Sequence, residues 1–184
     1  MPLSTPQNYT IKDIYALPEG ERAELIAGKM YMVAPPSYLH QTLCMELSAT
    51  IRDYIRSNNG SCQLLTAPLA VNLQADDTTY VEPDISVVWD RSKITPKGIN
   101  GAPNFIVEIV SPSSRKMDYI TKNTLYSEAG VREYWIVDLA RRRTTIYRYE
   151  EDAAPMIVPF DQPLTVGIYD DLQITIAELL KNFE

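Results

Sequence analysis

Two acidic residues interrupt segments that otherwise read as buried strands. Glu108 sits inside Phe105 to Val110, an apolar, β-branched run whose composition and length suit a strand covered on both faces. Asp84 follows Pro83 within Val81 to Trp89, ahead of the apolar residues Ile85, Val87 and Val88. A carboxylate in such a place is costly unless it is paired, bound to a metal, or at the lip of a cleft. Alternation puts Asp84, Ser86 and Val88 on one face and Ile85, Val87 and Trp89 on the other, while Ile106, Glu108 and Val110 share a face. If the two strands pair, Asp84 and Glu108 lie side by side. Two hard oxygen donors at a cleft, with water completing the shell, describe a Mg²⁺ or Mn²⁺ site. A turn aspartate and a glutamate paired with lysine or arginine fit the same spacing, and the residues alone leave both readings open.

The elements that must position these acids are legible around Glu108. After Val110, Ser111-Pro112-Ser113-Ser114 stops the strand and offers a helix N-cap. Arg115 to Ala129 has helical composition, and Gly130 stands where a C-cap glycine belongs. A second strand, Glu133 to Val137, ends at Asp138. Strand, helix, strand implies a parallel pair with a right-handed crossover.

The residues carry a resemblance. Pro83-Asp84, Glu108-Ile109-Val110-Ser111-Pro112-Ser113, Asp118, Lys122, Tyr126, Gly130, Tyr134-Trp135 and Asp138 follow in that order. Upstream stand Glu24-Leu25-Ile26, Gly28, Tyr31 and His40. The series is similar to the Uma2 family, restriction-endonuclease-like proteins of the PD-(D/E)XK nuclease superfamily, from Glu24 to Asp138. The resemblance implies an α/β (α+β) fold with a mixed central β-sheet flanked by helices. It implies metal-dependent hydrolysis of DNA phosphodiester bonds. Asp84, Glu108 and Lys122 would be catalytic, with Mg²⁺ (or Mn²⁺) held by Asp84, Glu108 and the backbone carbonyl of Ile109.

The superfamily's ExK form has lysine two positions after the glutamate, where this chain has Val110. Uma2-like members take the lysine from the following helix, and the matching residue is Lys122. A surface ion pair with Asp118, four residues earlier, is the alternative reading of that lysine. Further candidates are Glu24, His40, Ser111, Asp118 and Tyr126. Glu24 reads equally as a metal or water ligand and as a structural ion pair. His40 reads equally as a substrate contact and as an exposed helix-start histidine. The rival functions are a non-cleaving nucleic-acid-binding or regulatory protein on the same fold, and a structural homo-oligomer, such as a homodimer, whose acids pair between chains and whose contact is built by exposed aromatics near Tyr126 and Tyr134.

Composition narrows the classes. The chain has 184 residues, 45% of them hydrophobic, enough for one domain over 1–184. No apolar run reaches membrane-spanning length, and MPLSTPQNYT lacks the basic and apolar regions of a signal peptide, so a cytoplasmic protein is expected. Cys44 and Cys62 are too few for a zinc motif or a disulfide framework. His40 is the only histidine, and no GxSxG sequence supports a serine hydrolase. The formal net charge of −7 argues against a strong sequence-independent grip on DNA, although local basic clusters offset a global charge. Arg141-Arg142-Arg143, read as a solvated hairpin turn, and Arg115-Lys116 are such clusters.

Elsewhere the pattern predicts a short helix over Tyr9 to Leu17 and a tight hairpin of Ala23 to Ile26 with Lys29 to Val33 about Ala27-Gly28. Ser37 to Ser57 reads as a long helix with Leu39, Leu43, Leu47, Ile51 and Ile55 in one stripe. Cys62 to Leu73 carries one or two strands, and Gln74 to Thr79 and Arg91 to Ala102 read as loops. Thr144 to Tyr149 alternates as an outer strand. An acidic turn (150–154), strands over Pro155 to Phe160 and Leu164 to Ile168, and a helix Ile176 to Leu180 capped by Thr175 complete the reading.

Overall fold

The computed structural model describes residues 8–151, 153–169 and 171–183. The segment read as lacking a signal peptide falls mostly in 1–7, outside the described residues, as does Asp152 of the acidic turn. Chain order begins with helix α1 (Ile11–Tyr15) and the hairpin β1 (Ala23–Ile26) and β2 (Lys29–Met32). Ala27 and Gly28 both take positive φ, 48° and 72°, as a two-residue turn joining twisted strands requires. Helix α2 (Tyr38–Ser57) follows, capped by Ser37, whose hydroxyl accepts from the His40 N–H at 3.2 Å. That cap fixes the first turn of α2 and, with it, the position of His40.

Next come β3 (Gln63–Thr66), β4 (Val71–Asn72), β5 (Ile85–Val88), β6 (Ile94–Thr95), β7 (Gly98–Asn100) and β8 (Phe105–Val110). A π-helical turn (Met117–Lys122) runs into α3 (Asn123–Ala129). Gly130 ends the helix in the left-handed conformation, φ 86°, as its position predicted. The chain closes with β9 (Glu133–Asp138), β10 (Arg143–Arg148), β11 (Met156–Pro159), β12 (Leu164–Thr165), β13 (Gln173–Ile174) and α4 (Ile176–Leu180).

The six-stranded central sheet has the order β11-β10-β9-β8-β5-β3. Its β8–β9 pair is parallel and its other pairs are antiparallel, so the sheet is mixed and the fold α+β. One face carries Ile85, Val87, Phe105, Val107 and Ile109 and packs on the stripe of α2 and on α4. The other carries Val88, Ile106, Val110 and Ile136 and packs on Leu125 and Tyr126 of α3. Leu43, Leu47 and Ile51 of the stripe have no exposure, and each such burial stabilises by about 1.5–3 kcal/mol. The alternation expected for both acid-bearing strands matches these two faces.

Several expectations need correction. The strand expected from Val81 is regular only from Ile85, because Tyr80 and Val81 bridge instead to Leu25 and Val71. The expected loop from Arg91 contains β6 and β7, which with β4 form a small sheet. Gly98 permits it: a Cβ there would lie 2.3 Å from the Ala70 carbonyl oxygen. The strand after Asp138 is not the outer one, since β11 covers it. Only Leu164 and Thr165 of the last predicted strand are extended in a ladder, paired with β13. Thr175 precedes α4 but makes no side-chain cap bond. The long helix after Ser114 has the expected extent but opens into a π turn across Met117–Lys122.

Candidate active site

The β5–β8 ladder pairs Ile85 with Val107, Ser86 with Ile106 and Val87 with Phe105. One rung further, the same register sets Asp84 opposite Glu108, as strand pairing predicts. β5 ends there: the Asp84 carbonyl still accepts from the Ala67 N–H at 3.2 Å on the β3 side, while its carboxylate turns to β8. Its Oδ2 accepts the Ile109 N–H at 2.7 Å and lies 3.2 Å from His40 Nε2. His40 is therefore not an exposed helix-start residue. Burial works to lower its pKa, but the hydrogen bond and charge of Asp84 outweigh burial and hold it above the usual value, with the Ile109 carbonyl contributing.

Glu108, 5% exposed, is held from the helix side. Its Oε1 accepts from Lys122 Nζ at 2.8 Å and from the Tyr126 hydroxyl at 2.6 Å. Lys122 also donates to Glu24 Oε1 at 2.9 Å, on β1, and lies 3.8 Å from Asp118 Oδ1. The same Glu24 oxygen accepts the Glu82 N–H at 2.9 Å, which ties β1 to the approach to Asp84. The reading of Lys122 as a surface partner of Asp118 does not survive, because both side chains are buried and the closer partners are Glu108 and Glu24.

The π turn is what brings these groups together. Asp118, Lys122 and Tyr126 all face inward, and the Asp118 carbonyl accepts from the Tyr134 hydroxyl at 3.2 Å. Tyr126 and Tyr134 meet edge to face, ring centres 4.9 Å apart, with no exposed surface. They are internal props, so the expected intersubunit contact built on them is not available. The acids likewise find their partners within the chain. Ser111 is not drawn into the cluster: its hydroxyl bonds Ser113 and accepts from the Ser114 N–H, within its own turn.

The electrostatics are those of an excess of acid. Burial pushes Glu108 well above the usual carboxylate range; Lys122 opposes this, while Asp118, Asp84 and Glu24 reinforce it. Burial also raises Asp118. Lys122 is penalised by burial, yet Glu108, Glu24 and Asp118 together hold it well above its usual value as an ammonium. Four carboxylates thus surround one lysine and one histidine.

Among the described residues no group of three or more His, Cys, Asp and Glu side chains is gathered ready for a metal ion. Asp84 and Glu108 still suit a hard cation. They are opposed oxygen donors in an acid-rich site, and the bonds described above engage only Oδ2 of one and Oε1 of the other.

Sequence reasoning did not find Glu82 as a partner of Glu24, nor Arg115 as the partner of Asp138. Asp138, fully buried at the end of β9, accepts from Arg115 Nε at 3.0 Å and Nη2 at 3.1 Å. The available signal was an acid closing an apolar strand and a cation opening the preceding helix.

A mixed α+β sheet flanked by helices, with an aspartate and a glutamate opposed across neighbouring strands, is the architecture of restriction-endonuclease-like proteins. The chain belongs to the Uma2 family, described as "Putative restriction endonuclease", whose model matches residues 11–177. It is 23% identical over 141 residues to the uncharacterized protein slr1290 of Synechocystis sp., covering 76% of this chain and 73% of that one. It superposes with a TM-score of 0.73 on a solved chain from Anabaena variabilis ATCC 29413 described as "a putative nuclease belonging to DUF820". That match has 23% identity and covers 94% of this chain and 97% of the other. Among the described residues no helix is long and apolar enough to cross a membrane.

Proposed function

We propose that the protein is a metal-dependent endonuclease that hydrolyses DNA phosphodiester bonds. Asp84, Glu108 and the Ile109 carbonyl would hold Mg²⁺ or Mn²⁺. The ion, when bound, would polarise the phosphate and lower the pKa of a bound water. The observation that carries the reading is the Lys122 ammonium, buried and 2.8 Å from Glu108 at the strand end opposite Asp84. In this reading it takes the part of the superfamily lysine, a charge that Val110 does not supply.

The chain's own groups have distinct tasks in this reading. Tyr126 and Lys122 fix Glu108 through one oxygen. Glu24 holds the lysine beside Glu108, where it would orient the attacking water or stabilise developing negative charge. His40 bonds Asp84 and steadies the second metal-holding carboxylate.

One observation favours a non-cleaving nucleic-acid-binding protein instead: Lys122 already has two carboxylates within bonding reach. Calorimetric titration with Mn²⁺ tests the site. Wild type should bind, and the Asp84→Asn, Glu108→Gln double variant, checked by circular dichroism to be folded at the titration temperature, should not. Unchanged Mn²⁺ affinity in the double variant refutes the site.

A further inference from the structure

We propose that the end of the sheet beyond Glu108 forms a phosphate-contacting surface for the backbone of the nucleic acid substrate, built from Lys116, Arg141 and Arg115. This rests on the nuclease reading and adds where the substrate strand runs. Glu108 pairs with Ile136 across β8 and β9, and Val110 pairs with Asp138 two residues further on. Two residues of strand span about 7 Å. At that point two separate loops are tied to one carboxylate. Arg115, from the turn after β8, grips Asp138 through two nitrogens, and Arg141, from the turn after β9, lies with Nε 3.9 Å from the same Oδ2 and donates its backbone N–H to Oδ1 at 3.1 Å.

Asp138 has no exposure, whereas the Arg115 and Arg141 side chains are 27% and 49% exposed. The acid is therefore hidden and the cations face outward. Lys116, exposed and next to Arg115 in the chain, adds a third cation. In a chain of net charge −7, this basic edge beside the carboxylate cluster is unlike the molecule as a whole. Each phosphate of a duplex strand carries one negative charge, so cations beyond the Glu108 cluster are placed to meet phosphates flanking the reacting one. Such contacts position the substrate and carry no sequence information.

The test is the salt dependence of duplex DNA binding, measured by fluorescence anisotropy in chelator, where the proposed cleavage is blocked. Lys116→Gln with Arg141→Gln removes two cations and leaves the Arg115–Asp138 bonds in place. Each lost phosphate contact flattens the slope of log K against log salt by about 0.9, so the double variant should lose about 1.8. Arg52→Gln, on the far end of α2, should leave the slope alone. An unchanged slope in the double variant, or no duplex binding by the wild type, overturns the surface. Cleavage by the wild type with Mn²⁺ is scored in parallel: its absence defeats the nuclease reading, while cleavage with an unchanged slope defeats the surface alone.

Discussion

Lys122 carries the chemical reading and also much of the local stability. Its ammonium is the cation between Glu24 and Glu108, both buried. Removing one member of a buried pair leaves uncompensated charge and costs about 3–5 kcal/mol, against 0.5 kcal/mol or less for the surface pair that sequence spacing allowed. Lys122→Met should therefore destabilise by roughly that larger amount in urea unfolding. It should also abolish cleavage under conditions where the variant remains folded. A loss of only a few tenths of a kcal/mol, with cleavage intact, would contradict both the weight of the buried pairing and the catalytic role. The acids were legible because each breaks an apolar pattern that physics otherwise enforces. Lys122 and Tyr126 were legible from helical spacing together with the family resemblance. The bond from Lys122 to Glu24, 98 positions away, was not, since nothing local to either residue encodes it.

At the scale of elements, the hairpin, the long helix and the strand–helix–strand unit follow from local signals: Ala27-Gly28, the Ser37 cap and Gly130. The π turn does not. Met117–Lys122 has the composition of an ordinary helix, and it is the docking of Asp118, Lys122 and Tyr126 onto the sheet that holds the wider turn. The β9 end adds a tie that also escaped local reading. Burial works to raise the Asp138 carboxyl, but the Arg115 bonds, the Arg141 N–H and both guanidinium charges outweigh it and hold it below the usual carboxylate range. A depressed folded-state value means that this stabilisation is present above the unfolded value, about pH 3.9, and is lost as pH falls through the lower folded value. Asp138→Asn should cost about 2–3 kcal/mol at pH 7, less than a fully buried pair because Arg115 is partly exposed. The gap to wild type should narrow below about pH 4 in chemical unfolding followed by circular dichroism. A gap that stays constant down to pH 2 would contradict the tie.

At the scale of the molecule, an acidic protein gathers a largely buried carboxylate cluster on one face of its central sheet. The mixed sheet was legible from the parallel unit around Glu108 and from the alternating segments flanking it. The small β4-β7-β6 sheet was not, because two-residue ladders have no pattern of their own; the strand β11 was legible, but its four-residue pairing with β10 was not. The central claim is that Asp84, Glu108 and Lys122 form one metal-dependent phosphodiesterase centre. It is tested most directly by incubating supercoiled plasmid DNA with the purified wild type and with Asp84→Asn, each in Mg²⁺, in Mn²⁺ and in chelator. Nicked and linear DNA is expected from the wild type with either metal. Intact plasmid is expected in chelator and from Asp84→Asn throughout. Intact plasmid from the wild type with both metals, or equal cleavage by Asp84→Asn, would contradict the claim.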